Sequence, residues 1–506
     1  MKSSYHVNLI EYFVENIKSY SDKVAIIDGN KKVSFKELYC RVVTLSSSIK
    51  SKLHNQKYQI IAVMLPKSVD SIVADLAIMW SGNAYMNLDI TNPVDRLNLI
   101  LSQNHPSMVI SREPFCSKLQ SFSGILLLDE YLDNIDESAY SEKFELKNID
   151  TDPCCVINTS GSTGVPKGVI KSHNSMINFI ESFVDTFDLK DEVIGNQTPF
   201  YFDASNKDIY LMLNLGATLN IIPKEMFMFP VNLITFLNEK KITYICWVPS
   251  ALAIVSQLNA FKMITPKYVR NVFFVGEVMQ IKHLNNWRKN VNARNVNLFG
   301  SSEIAGICTY YEITRDFDLE EKLPIGKALN GVDVFMLDEK DNLVTDTETI
   351  GEVCVRGPLL ASGYFGDEEK TKKVFVNNPL NNEYLDTILK TGDLGKYDSE
   401  GNIVYISRKD FQIKHMGHRI ELAEIEIFAN ALDIVDSSCC LYDTKRNKLV
   451  LFFTAKEPCE DYNKEITVRL KEKLPVYMIP NRFVKLDEMP KNKNGKIDRN
   501  LLKQSL

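Results

Sequence analysis

CCVINTSGSTGVPKG, residues 154–168, runs an apolar segment straight into a loop of three glycines, four hydroxyls and a lysine. The segment CCVIN is short, apolar and bounded by a turn signal, so it reads as a strand. Glycines at 161, 164 and 168 permit unusual backbone angles and let main-chain N–H groups close on a ligand. Thr159, Ser160, Ser162 and Thr163 add hydroxyl donors, and Lys167 adds a positive charge. Together they suit a polyphosphate. The loop is not of the Walker type, because Lys167 is followed by Gly168 and not by Ser or Thr.

The neighbours of this stretch show what kind of sheet carries it. QIIAVMLP (59–66), SMVIS (107–111), GILLLD (124–129), ATLNIIP (217–223), ITYICWVPS (242–250) and RNVFFVG (270–276) continue the strand series. Segments with helical spacing, such as SVDSIVADLAIMWSG (68–82), lie between most of them. That alternation predicts an α/β fold with layered, largely parallel sheets. Around ETIGEVCVRGP (348–358), short β segments cluster with Gly and Pro, which predicts a small β subdomain. From Lys409 the texture changes to helix, strands, helix and a lysine-rich tail, predicting a separate α+β domain. The expected division is a core over 1–408 and a C-terminal domain over 409–506, with a short hinge near 408–411.

At 506 residues the chain is too long for one ordinary domain. Its 45% hydrophobic and 25% charged residues are those of a globular protein, and a net charge of −6 argues against coating nucleic acid. No uncharged apolar run approaches the ~18 residues of a membrane span. The opening MKSSYHVNLIEYFVENIKSY reads as an amphipathic helix and lacks a signal-peptide core. Ten scattered cysteines show no CxxC and no zinc spacing, so buried thiols in a reduced, cytoplasmic protein are expected.

A second stretch, YFDASNKDIY (201–210), places Asp203 and Lys207 among apolar and aromatic residues. Buried charges are costly unless paired or used. One reading makes Asp203 or Ser205 the cap of a helix that begins near Asn206, with Lys207 in water. The other gives both charges a task.

TSGSTGVPKG resembles the phosphate loop of the adenylate-forming superfamily, which includes acyl-CoA synthetases, peptide-synthetase adenylation domains and luciferases. Five further segments are similar to that family's motifs, in the same order: GNAYMNLDITNPVDRL (82–97), NLFGSSE (297–303), LKTGD (389–393), SRKDFQIKHMGHRIELAEIE (407–426) and NKNGKIDR (492–499). The resemblance covers almost the whole chain. It implies an ATP-dependent, AMP-forming ligase: a carboxylate and ATP give an acyl-adenylate and pyrophosphate, then a thiol takes the acyl group. Two anions must meet in the first step, so positive charge, Mg²⁺ and oriented donors have to screen them.

The resemblance also implies roles. Thr159, Ser160, Gly161, Ser162, Thr163, Gly164 and Lys167 would hold ATP phosphates. Glu303 would ligate Mg²⁺, and Ser302 would lie near the α-phosphate. Asp393 would accept hydrogen bonds from the ribose hydroxyls, Phe299 would stack on adenine, and Arg408 would lie near the nucleotide. Asp410 would be the hinge of a mobile lid. Lys496 would neutralise charge during adenylation, and the Lys414 side of the lid would then face the thiol. Ser301 stands where the family usually has Pro, and Met416 where a positive charge is frequent. Intact Lys167, Glu303, Asp393 and Lys496 argue against a degenerate, non-catalytic member.

In amino-acid-activating branches, the Asp of an FDxS segment pairs with the substrate's α-ammonium group, so Asp203 implies an amino-acid substrate. The resemblance places Ala204, Lys207, Cys246, Phe273, Val275, Leu298, Gly306 and Ile307 around it. An inward Lys207 would favour an acidic amino acid. If it pairs with Asp203 or Asp208, or turns outward, a small neutral one fits instead. FDASNKDIY, GEV (276–278) and DFQIK (410–414) resemble stand-alone D-alanine–carrier-protein ligases, although Ala204 and Lys207 replace larger apolar residues. No LGGxS carrier segment is present, which reads as a free-standing enzyme that loads the phosphopantetheine arm of a separate carrier protein; the resemblance implies a monomer. The alternative is an acyl- or aryl-CoA synthetase acting on a simple carboxylic acid.

Overall fold

The computed structural model describes residues 5–119, 122–132, 137–141, 143–145, 148–160, 166–258, 260–409, 412–491 and 497–506. The chain forms two compact units. The first comprises Met1–Asp89, His105–Asn158 and Gly168–Lys409; the second comprises Ile90–Asn104, Thr159–Lys167 and Asp410–Leu506.

A nine-stranded sheet dominates the first unit. Its order runs Lys327–Ala328, Thr309–Glu312, Arg294–Phe299, Asn271–Val275, Tyr244–Trp247, Val193–Asn196, Thr218–Ile221, Val24–Asp28 and Lys31–Ser34. The central strands are parallel and the edges antiparallel. A seven-stranded sheet runs Gly363–Tyr364, Lys167–Ser172, Pro153–Thr159, Ala84–Asn87, Ile60–Met64, Met108–Ser111 and Ile125–Leu127. Strands of this kind, buried on both faces, read as near-continuous apolar runs. That is why QIIAVMLP and RNVFFVG were recognisable from composition alone. The expected β subdomain forms around the long strand Thr387–Tyr397, flanked by Gly351–Arg356 and Ile403–Arg408.

The helix Asp203–Leu215 links the two large sheets through side chains on opposite faces. Asn206 and Tyr210 turn toward the seven-stranded sheet, where the Tyr85 hydroxyl meets Asn206 Oδ1 at 3.1 Å and the Tyr210 hydroxyl at 2.7 Å. Lys207 and Asp208 turn toward the nine-stranded sheet. The helix opens at Asp203, three residues before the start expected near Asn206. Phe202 holds the cap position without a side-chain cap, and Ser205 Oγ donates back to Phe202 O at 2.6 Å. Asp203 is therefore a first-turn carboxylate near the positive end of the helix dipole.

In the second unit, strands Val435–Asp443, Lys448–Ala455 and Arg482–Leu486 form a sheet against helices Leu422–Asn430 and Tyr462–Lys471. Ile420, Leu451, Phe453, Ile466 and Leu470 fill its core. Among the described residues, eight of the ten cysteines are buried, Cys116 and Cys459 are half-buried, and all are free thiols. No helix among those residues is long and apolar enough to cross a membrane.

Candidate active site

Three parallel neighbours of the large sheet end side by side at Trp247, Val275 and Phe299. In open α/β sheets, ligands bind outside such carboxyl ends. Cys246 sits opposite Phe273, and Val275 opposite Leu298. After Phe299 the chain doubles back: a Cβ on Gly300 would lie 2.1 Å from Gly306 O and 2.7 Å from Ile307 Cα, so only glycine fits there. This crossing brings Gly306 and Ile307 beside FGSSE. A Cβ at Gly306 would in turn meet the Phe179 ring at 3.0 Å. Of the residues expected around the substrate, Cys246, Phe273, Val275, Leu298, Gly306 and Ile307 thus gather at one end of the sheet, and Asp203 and Ala204 open the adjacent helix.

Lys207 is almost fully buried. Its ammonium is hydrogen-bonded to Asp208 Oδ1 and donates to the Tyr244 hydroxyl at 3.0 Å, with the Phe183 and Tyr244 rings alongside. Burial pulls its pKa down, yet the charges of Asp208 and Cys246 hold it above the ordinary lysine range. Asp208 Oδ2 accepts from Asn196 Nδ2 at 2.8 Å. Near it lies Lys67, whose ammonium donates to the carbonyls of Asn196 and Gln197; burial lowers this lysine to about 7. Among the partners considered for Lys207, the structure gives it Asp208.

Asp203 has a different cation. Lys171 Nζ, on the strand after the glycine-hydroxyl loop, stands 3.6 Å from Asp203 Oδ2. Lys171 is 0% exposed, whereas the Asp203 side chain is 20% exposed. Sequence reading missed this lysine, because a lone Lys in a polar strand end is indistinguishable from a solvated one. Two residues on, His173 is buried; its Nδ1 accepts from Leu9 N at 3.3 Å, and burial pushes its pKa down to about 3.

Glu303 is 3% exposed, and its Oε1 accepts from the Tyr364 hydroxyl at 2.6 Å. Tyr364 was also missed; it lies on the short strand paired with Val169 and Ile170. Beside Glu303, Ser301 Oγ is buried with no hydrogen-bond partner among the described residues. Ser302 is half-buried. Asp393 sits opposite Arg408 in antiparallel register, and Arg408 Nη1 donates to Asp393 Oδ1 at 3.0 Å. Among the described residues, no group of three or more His, Cys, Asp or Glu side chains is placed to hold a metal. A lone carboxylate such as Glu303 still fits Mg²⁺, which takes one or two carboxylates plus substrate phosphates.

In the second unit, Thr159 Oγ1 points to Lys167 O at 3.5 Å across the base of the loop, and Ser160 Oγ donates to Arg419 O at 2.7 Å. Gly161, Ser162, Thr163 and Gly164, together with Asp410 and Lys496, lie outside the described residues. Lys414 occupies the hairpin Gln412–His415/His418–Glu421 opposite Arg419. Met416 and Gly417 make its turn with φ of 51° and 81°, the left-handed pair that two-residue hairpins require. His415 is packed on Tyr442, and His418 stacks on Tyr477 with ring centroids 3.4 Å apart.

Residues 13–365 match the model of the family described as AMP-binding enzyme. Zwittermicin A synthase ZmaJ from Bacillus cereus is 30% identical over 97% of this chain and 93% of its own length. Tyrocidine synthase 1 from Brevibacillus parabrevis is 29% identical over 97% of this chain, which spans 44% of that longer protein. Among solved structures, NpsA-ThdA, an artificially fused adenylation–PCP di-domain of Klebsiella oxytoca, superposes with a TM-score of 0.82 at 21% identity, covering 96% of this chain and 95% of that one. Segments that bring a first-turn aspartate, a buried FGSSE carboxylate and the Asp393–Arg408 pair into one fold thus sit in a chain that belongs to the AMP-binding enzyme family, as an adenylate-forming enzyme of the nonribosomal peptide synthetase adenylation type.

Proposed function

We propose that this protein activates a small, neutral amino acid as its adenylate and transfers it to the phosphopantetheine thiol of a separate carrier protein. The observation that carries the reading is Asp203, a carboxylate at a helix start that keeps a fifth of its side chain open. A substrate ammonium is the complementary group. Lys207 does not call for an acidic side chain, because its charge is already met by Asp208 inside the core. The remaining lining, Ala204, Cys246, Phe273, Val275, Leu298, Gly306 and Ile307, is small or apolar.

In this reading a carboxylate oxygen of the amino acid attacks the α-phosphorus of ATP, and the bond to pyrophosphate breaks. Thr159, Ser160, Gly161, Ser162, Thr163, Gly164 and Lys167 hold the phosphates, with Ser302 beside the α-phosphate. Asp393, kept in place by Arg408, receives the ribose hydroxyls, and Phe299 packs on the base. Glu303, fixed by Tyr364, would hold Mg²⁺, which supplies charge neutralisation at the phosphates when bound. Lys496, on a lid over 409–506 that turns about Asp410, screens the two anions. The carrier thiol then attacks the acyl carbon beside Lys414, and AMP leaves.

Amino-acid-dependent ATP–pyrophosphate exchange tests this. The expected result is exchange with a small neutral amino acid, D- or L-alanine, glycine or serine. Exchange only with aspartate or glutamate would return Lys207 to the pocket. Exchange only with simple carboxylic acids, followed by transfer to coenzyme A, would establish the acyl- or aryl-CoA synthetase instead.

A further inference from the structure

Lys171 is a fully buried ammonium whose ion-pair partner among the described residues is Asp203, at 3.6 Å. Among the described residues its Nζ has no hydrogen-bond partner. Around it lie the thiols of Cys154 and Cys155, whose charged forms its own charge favours. A buried cation needs a counter-charge, and among the described residues Asp203 is the carboxylate paired with it. The geometry is directional. Lys171 is 0% exposed and so meets Asp203 from inside the protein, while a fifth of the Asp203 side chain stays open to solvent.

The carboxylate offered to a substrate is therefore charge-matched before any ligand arrives. A substrate ammonium seated on the open side would be the second cation on one carboxylate, at a distance where buried like charges still repel. A neutral hydroxyl in the same place would donate to Asp203 without that opposition. Resting on the activity proposed above, we propose that Lys171 is a specificity-determining residue: by neutralising Asp203 from behind, it relaxes the demand for an ammonium. The site then activates 2-hydroxy carboxylates alongside the amino acids of the same side chain.

The experiment is ATP–pyrophosphate exchange on the full chain with matched pairs: alanine and lactate, glycine and glycolate, serine and glycerate. For the unmodified protein, kcat/KM for the better pair is expected to differ by no more than about tenfold between amino and hydroxy acid. Lys171→Met is expected to widen that ratio about tenfold, mainly through a lower KM for the amino acid, while Lys171→Arg keeps it narrow. A preference of a thousandfold or more in the unmodified protein, or a ratio unmoved in a Lys171→Met variant that melts as a folded protein, overturns the inference and leaves the amino-acid reading standing. Should Lys171→Met fail to fold, the unmodified ratio and Lys171→Arg decide alone. No exchange with any member of either series overturns the proposed activity, and the inference falls with it.

Discussion

Two ion pairs involve the same helix, and they are built differently. Lys207–Asp208 is closed on every side: the ammonium meets a carboxylate and a tyrosine hydroxyl, and the carboxylate also takes Asn196. Lys171–Asp203 is open: 3.6 Å apart, with no hydrogen bond from the ammonium among the described residues, and with the carboxylate reaching solvent. A completed pair of buried charges serves the fold. An incomplete one keeps bonding capacity in reserve, which a ligand can use.

Breaking the closed pair should have the largest effect. Asp208→Ala leaves Lys207 charged in the core beside Lys67, and should lower unfolding free energy by about 3–5 kcal/mol in a urea titration. A loss under about 1 kcal/mol would mean that water reaches Lys207.

His173, two residues from Lys171, sharpens the contrast as a buried group kept neutral. Its folded pKa of about 3 lies below the ordinary 6.5, so below 6.5 the unfolded chain binds a proton that the folded one refuses. Stability should therefore fall as pH drops from 6.5 toward 3, by on the order of 3 kcal/mol at about pH 4.5. His173→Gln should flatten that slope. An unchanged slope in the variant would place the acid sensitivity elsewhere.

The open pair should respond least. Asp203→Asn removes the counter-charge of the buried Lys171, but the pair stands 3.6 Å apart and the asparagine carbonyl oxygen still faces the ammonium as an acceptor, so a loss of about 1 kcal/mol is expected. Adding Lys171→Met should restore most of that loss. A double variant no more stable than Asp203→Asn would show that Lys171 and Asp203 are not energetically coupled.

Much of this was legible in the linear chain. Strands such as Ile60–Met64 and Asn271–Val275 announce themselves because a parallel strand covered on both faces has to be apolar throughout. The helix start was misplaced because Ser205 reads as a cap, yet in three dimensions its hydroxyl folds back on Phe202. Tyr364 was invisible because nothing local marks a tyrosine whose hydroxyl will meet a carboxylate 61 residues away.

By itself, the sequence determined the α/β class, the order of the motif segments and the presence of a charged stretch at 201–210. Those properties rest on local patterning: apolar periodicity, glycine-hydroxyl density, residue spacing. Only the tertiary structure decided which cation faces which carboxylate. Asp203 and Asp208 lie five positions apart on one helix, so their side chains point to different sheets, and each sheet brings its own neighbours. Lys171 arrives from a strand 32 residues upstream, while Lys207 turns the other way and is spent inside the core. Charge pairing depends on distance through space, and distance along the chain carries almost no information about it.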